Sequence, residues 1–145
     1  MRSILTTLSL ASVVARAGCA GVTPADPGDQ KACEIWSKAE QAMVQTVAII
    51  VELAKDPAAM TNDVVAEFNT KRNELLAAYD QAKKVATSKD LKAALETGIT
   101  NDSAVYYDLA GATNERIQES LAAVSTLVAT CTTIGVDVSG VLGTK

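Results

Sequence analysis

A chain of 145 residues has room for one domain with a serviceable core, and 48% hydrophobic against 21% charged residues is a globular rather than a disordered composition. The formal charge is −4; with Arg2 and Arg16 set aside, 11 basic residues face 17 acidic ones, a balance of −6 that argues against a nucleic-acid partner. There is no histidine, so the commonest general base and the commonest metal ligand are both missing. Catalysis and metal binding are therefore not expected, and no cofactor is called for.

Met1-Arg2 is followed by the apolar run Ile4 to Ala15, which has the charged start and short apolar core of a secretory signal. The run is too short to span a membrane. Next comes Arg16-Ala17-Gly18-Cys19. Ala17, Gly18 and Cys19 resemble the lipobox of bacterial lipoproteins, with Arg16 where that family usually carries leucine or another aliphatic residue. The resemblance implies lipidation of Cys19 on sulfur and cleavage in front of it. Ordinary cleavage after Ala17 or after Ala20 is the competing reading. On the lipobox reading, residues 1–18 are a signal peptide and residues 19–29, rich in proline, glycine and aspartate, are a flexible tether. A merely disordered mature terminus is equally compatible.

Cysteine arithmetic pairs Cys33 with Cys131 in an oxidising compartment. Cys19 is then lipidated, discarded by a cut after Ala20, or left free by a cut after Ala17. One cysteine of the pair opens the first helix and the other closes the last, so a bond between them requires those helices to run antiparallel.

Residues 30–135 are read as an all-α, antiparallel bundle of three long helices and one short one, closed by that disulfide. In the first helix Trp36, Ala39, Met43, Val47, Ile50 and Leu53 recur at spacings of three and four. Asp56-Pro57 ends it. The second helix starts near Pro57 or Thr61 and carries Val65, Phe68, Leu75 or Leu76, Tyr79, Ala82 and Ala86 on one stripe, with Arg72 as its polar member. Glu67 with Lys71, and Asp80 with Lys84, are spaced for surface ion pairs. Ser88 caps a short helix from Lys89 to about Thr97, with Leu91, Ala94 and Leu95 packed and Gly98 as its stop. Asn101-Asp102-Ser103 then supplies caps for a last helix whose stripe runs Tyr106, Ala110, Thr113, Ile117, Leu121, Val124, Val128, Cys131 and Ile134. Gly111 weakens the first third of that helix and Gly135 stops it. Residues 136–145 are expected to be a frayed tail.

Few groups offer chemistry. Tyr106-Tyr107 could stack on a flat ligand or bind a haem iron, but adjacent helical positions point about 100° apart, so one ring should close the core and the other meet solvent. Lys83, Lys84, Lys89 and Lys92 could touch an acidic polymer or lipid, or simply complement a helix dipole. Arg72 and Arg116 offer too little charge for a dianion pocket of the kind secreted helical chorismate mutases use, and lone arginines beside apolar stripes also snorkel.

In overall style the chain is similar to small lipoproteins and secreted proteins of actinobacteria and their phages, among them phage-encoded surface lipoproteins that exclude competing phages. The expectation is an exported, envelope-exposed contact module without catalytic activity. It is held at the membrane through a lipid on Cys19, or secreted, and meets an unknown envelope protein. The alternative is a secreted carrier whose small side chains Ala39, Ala82, Ala86 and Ala110 leave room for an apolar ligand inside the bundle.

Overall fold

The computed structural model describes residues 25–109 and 111–141. The leader, Cys19, Ala110 and residues 142–145 lie outside them. The architecture is all-helical: α1 (Pro27–Leu53), a 3-10 turn (Pro57–Ala59), α2 (Asn62–Val85), α3 (Lys89–Tyr106) and α4 (Asn114–Ile134), with no strand among the described residues.

Each helix begins where a side chain satisfies an orphan backbone N–H. Asp26 Oδ1 accepts from the Gly28 N–H at 2.7 Å, with Pro27 in the first turn. Thr61, Ser88 and Thr113 cap α2, α3 and α4 through Val64, Leu91 and Arg116. Asp29 is buried in the first turn of α1 and reaches across the fold. Its Oδ1 accepts from the N–H of Thr87 at 2.7 Å and of Ser88 at 3.0 Å, which ties the start of α1 to the α2–α3 corner.

The bundle runs up, down, up, down, with α1 packed chiefly on α2 and α3 on α4. Cys33 and Cys131 come to 5.6 Å between Cα atoms, with their sulfurs at bonding distance. The start of α1 thus meets the end of α4, as the antiparallel arrangement requires. Trp36, Met43, Leu75, Tyr79, Leu91, Leu95 and Leu127 are fully buried between the helices. Each such side chain contributes about 1.5–3 kcal/mol of transfer free energy.

Several boundaries differ from the sequence reading. The stretch read as a tether through residue 29 is already helical at Pro27, because Asp26 and Pro27 form a good helix start. The third helix is not short: it passes through Gly98 and continues to Tyr106. A Cβ at Gly98 would lie 2.7 Å from Tyr79 Cε1 and 2.9 Å from Leu127 Cδ1, so this glycine allows α2 and α4 to approach and does not stop a helix. Asn101, Asp102 and Ser103 consequently lie inside α3, and the break falls later, between Tyr107 and Thr113. Thr113, expected on the apolar stripe, is the exposed cap of α4.

The expected tail is not frayed through residue 141. Gly135 adopts φ 94°, a left-handed conformation that favours glycine, and the Val136 N–H returns to the Cys131 carbonyl at 3.0 Å. This turn directs the chain back over the bundle and buries Val138 and Val141. On the surface, Lys71 pairs with Glu74 and Lys83 with Glu96, in place of the expected Glu67–Lys71 and Asp80–Lys84 pairs.

Candidate interaction surface and an interior polar cluster

Residues 1–24 join the bundle at the end formed by the start of α1, the α2–α3 corner and the end of α4. The opposite end collects the apolar surface. Ile49 and Val51 near the end of α1, Val65 in the first turn of α2 and Tyr107 after α3 are exposed there, and Leu121, which follows Ser120 two turns into α4, is the other exposed large hydrophobic among the described residues. Val65 and Leu121 were expected to face the core, but they are 45% and 50% exposed. At this end lies a groove of about 370 Å³ lined by Ile50, Met60, Val65, Phe68 and Leu109. A smaller cleft shares Ile50 and adds Thr46, Ile49, Val64 and Glu67.

Local sequence explains why the groove stays open. Asp56-Pro57 ends α1 and starts the 3-10 turn, so Met60 and Thr61 are carried around the corner before α2 begins. The second wall arises because the chain leaves α3 at Tyr107 and brings Leu109 over Phe68 and Ile50. The two tyrosines divide as their helical spacing demands. Tyr106 packs edge-on to Phe68 with ring centroids 6.4 Å apart, whereas Tyr107 is exposed with the Arg72 guanidinium 4.4 Å above its ring. Arg116 is exposed in the first turn of α4, and neither arginine lines the groove. A wider cleft of about 560 Å³ between α1 and α2 has a charged wall, where Lys31 pairs with Glu34 and Lys71 with Glu74. Its polar groups largely satisfy one another.

The interior holds a second constellation, which sequence reasoning missed. Glu40 from α1, Tyr79 from α2, Asp102 from α3 and Ser120 from α4 are all buried. Asp102 Oδ2 accepts from the Tyr79 hydroxyl at 2.6 Å, and its Oδ1 accepts from the Ser120 hydroxyl at 2.5 Å. Burial, and then the charge of Asp102, push the Glu40 carboxyl well above the usual carboxylate range. Burial also raises Asp102, against the lowering effect of its hydrogen bonds from Ser120, Tyr79 and Glu40. Two carboxylates in one dry space cannot both stay ionised at little cost, and burial together with the charge of Asp102 favours the neutral form of Glu40. Glu40 Oε2 and Trp36 Nε1 are the buried side-chain atoms left without an acceptor or donor partner among the described residues. Burial raises the Tyr79 and Tyr106 phenols as well, so both remain neutral.

This cluster is enclosed and offers no reacting surface; its hydrogen bonds join α2 and α4 to α3 through Asp102, with Glu40 of α1 buried beside them. A signal for half of it was legible, since Glu40 falls on the Trp36–Met43–Val47 stripe of α1. Asp102 was hidden by the assumption that α3 ended at Gly98.

Cys19 lies outside the described residues. No described helix is long and apolar enough to cross a membrane, and no group of three or more histidine, cysteine, aspartate or glutamate side chains suited to a metal occurs among the described residues. Comparison with family models, curated proteins and solved structures finds no match to the chain.

Proposed function

We propose that this protein is an exported, non-catalytic contact module of the bacterial envelope, tethered by a lipid on Cys19 and meeting an envelope protein with the far end of its bundle. One observation carries the reading. The apolar groove and the exposed Ile49, Val51, Val65 and Tyr107 gather at the end opposite the entry of residues 1–24. A 27-residue α1 separates the two ends by roughly 40 Å at 1.5 Å per residue, enough to hold the apolar end clear of the lipid headgroups. Exposed apolar side chains grouped in this way mark contact sites. Phage-encoded surface exclusion is one biological setting that suits such a module, by resemblance of the leader and composition alone.

Tethering replaces a bimolecular encounter by a high local concentration, so function should depend on the anchor. Replacing Cys19 by Ala, with export maintained by an ordinary signal peptide, should sharply reduce the phenotype in cells. Retention of full function by the secreted Cys19→Ala protein at equal abundance would overturn the tethered reading.

A carrier of a small apolar ligand is the second reading, supported by the same 370 Å³ groove rather than by an internal chamber. Ala82 and Ala86 are buried in close-packed core and Ala39 borders the charged cleft, while Ala110 lies outside the described residues. An apolar molecule recovered by organic extraction and mass spectrometry of protein purified without detergent would favour it.

A further inference from the structure

We propose that the fold is a pH-operated clasp: its two helical hairpins, α1–α2 and α3–α4, stay fastened where Cys33 is bonded to Cys131 and part at the far end when the buried Glu40 carboxyl loses its proton. Such a clasp works alike in an anchored and in a released protein.

The seam between the hairpins carries the polar cluster. α1 packs chiefly on α2 and α3 on α4, so each hairpin is a unit of its own. Glu40 belongs to the first hairpin and Asp102 to the second, and the Tyr79 hydroxyl crosses the seam to Asp102. Tyr79 and Ser120 each own one hydroxyl proton, and both are given to Asp102, at 2.6 and 2.5 Å. These charge-assisted bonds suit an ionised Asp102. Glu40 lacks such support: it is 1% exposed, and its Oε2 has no hydrogen-bond partner among the described residues. The inventory of donors thus favours the neutral form of Glu40, and burial and the Asp102 charge act in the same direction.

No cation stands ready to replace that proton. The titratable groups facing Glu40 are Tyr79 from α2 and Asp102 and Tyr106 from α3, while α1 adds the Trp36 indole and α4 the Ser120 hydroxyl on Asp102. Every lysine and arginine among the described residues is exposed or only partly buried. Burial raises both tyrosines, so they stay neutral at pH 9. Deprotonation of Glu40 then sets two negative charges against each other across the seam in a medium of low dielectric, a state relieved when water enters between the hairpins.

The two ends resist parting unequally. At the entry end the disulfide is covalent, and Asp29 Oδ1 holds the Thr87 and Ser88 N–H groups at 2.7 and 3.0 Å. Burial raises the Asp29 carboxyl, but the hydrogen bonds from Ser88 and Thr87 outweigh it and keep the group below its ordinary value, so a rise in pH leaves this fastening unchanged. At the far end the hairpins meet without any covalent link. Phe68 lies edge-on to Tyr106 at 6.4 Å, the Arg72 guanidinium covers Tyr107, and the groove takes Ile50, Met60, Val65 and Phe68 from the first hairpin and Leu109 from the turn of the second. The hinge therefore falls at the disulfide. Parting of the hairpins removes the Leu109 wall, which ties the form of the apolar groove to pH.

The test measures one distance at each end of the oxidised exported domain by electron paramagnetic resonance, with spin labels on genetically encoded ketone side chains so that the disulfide stays intact. Asn62 and Asn114, exposed at the starts of α2 and α4, report the far end; Lys31 and Thr132, exposed near Cys33 and Cys131, report the entry end. Between pH 5 and pH 9 the far-end distance should lengthen by about 5 Å or more, half the width of a helix, while the entry-end distance stays fixed. Glu40→Gln keeps the shape of the side chain and has no acid proton to lose, so that protein should stay closed at pH 9. Circular dichroism checks its fold; should it fail to fold, Glu40→Leu takes its place with the same expectation.

A far-end distance that does not change with pH would overturn the proposal. So would both distances lengthening together, which is unfolding without a hinge, or opening of the folded Glu40→Gln or Glu40→Leu protein at pH 9.

Discussion

The Tyr79 hydroxyl donates to Asp102 Oδ2 at 2.6 Å across 23 residues of chain, joining the last third of α2 to the second half of α3 in the dry centre of the bundle. Removing one donor from a buried carboxylate costs more than an average hydrogen bond, because the acceptor is left under-solvated. Tyr79→Phe and Ser120→Ala should each destabilise the fold by about 1–3 kcal/mol in urea unfolding. The double variant should depart from additivity by about 0.5 kcal/mol or more, since both donors serve Asp102. Strict additivity would show that the two hydroxyls do not act on one charge.

Stability should fall as the pH rises from mildly acidic to alkaline. The Glu40 and Asp102 carboxyls are raised from their ordinary values of 4.5 and 3.8, so the folded state holds more protons than the unfolded chain above those values. Their contribution is complete below those values and is lost as the pH climbs through the folded-state values. Asp29 behaves oppositely. Burial raises it, but the hydrogen bonds from Ser88 and Thr87 outweigh burial and hold it below 3.8, so its contribution is lost only as the pH falls through that lowered value. The melting temperature should therefore be higher at pH 5 than at pH 8, and Glu40→Gln should flatten the difference. A melting temperature that is level or rises between pH 5 and pH 8 would refute the proton assignment.

Gly98→Ala is expected to destabilise, although alanine is ordinarily the better residue inside a helix. The added Cβ would meet the Tyr79 hydroxyl oxygen at 2.8 Å and Leu127 Cδ1 at 2.9 Å, and neither a packed ring nor a core leucine yields freely. A loss of about 1–3 kcal/mol is expected, as for other overpacked cores. Increased stability in calorimetry would mean that α3 does not approach α2 as described.

Cys33 and Cys131 are 98 residues apart, a separation for which a cross-link removes about 4–5 kcal/mol of unfolded-chain entropy. The double change Cys33→Ser with Cys131→Ser should lower unfolding stability by several kcal/mol while leaving the helical circular dichroism spectrum intact at low temperature. Two free thiols titrated in oxidatively purified, denatured protein would show that the bond does not form.

The sequence alone determined the helical class, because stripes at spacings of three and four and the absence of alternating runs are local properties that each segment carries by itself. It determined the cap at Ser88 and the stop at Gly135 for the same reason, and left the start of α2 between Pro57 and Thr61. It also pointed to the meeting of Cys33 and Cys131, since the positions of two cysteines at the outer ends of the first and last helices constrain the topology. The local code misled where a residue serves a distant neighbour. Gly98 carries a helix terminator's signature, yet it is kept inside α3 by the approach of Tyr79 and Leu127. Asp102 looked like a cap and became the acceptor shared by α2 and α4. Val138 and Val141, in a stretch too short and irregular to show any period, are buried because the left-handed turn at Gly135 returns them to a core that only the assembled bundle provides. Which apolar residues remain outside was likewise a tertiary decision. Val65 fits its helical stripe, but the chain leaves α3 at Tyr107 and no further described helix covers the far end, so Val65 faces solvent; Leu121 also fits its stripe and is exposed on the outer face of α4.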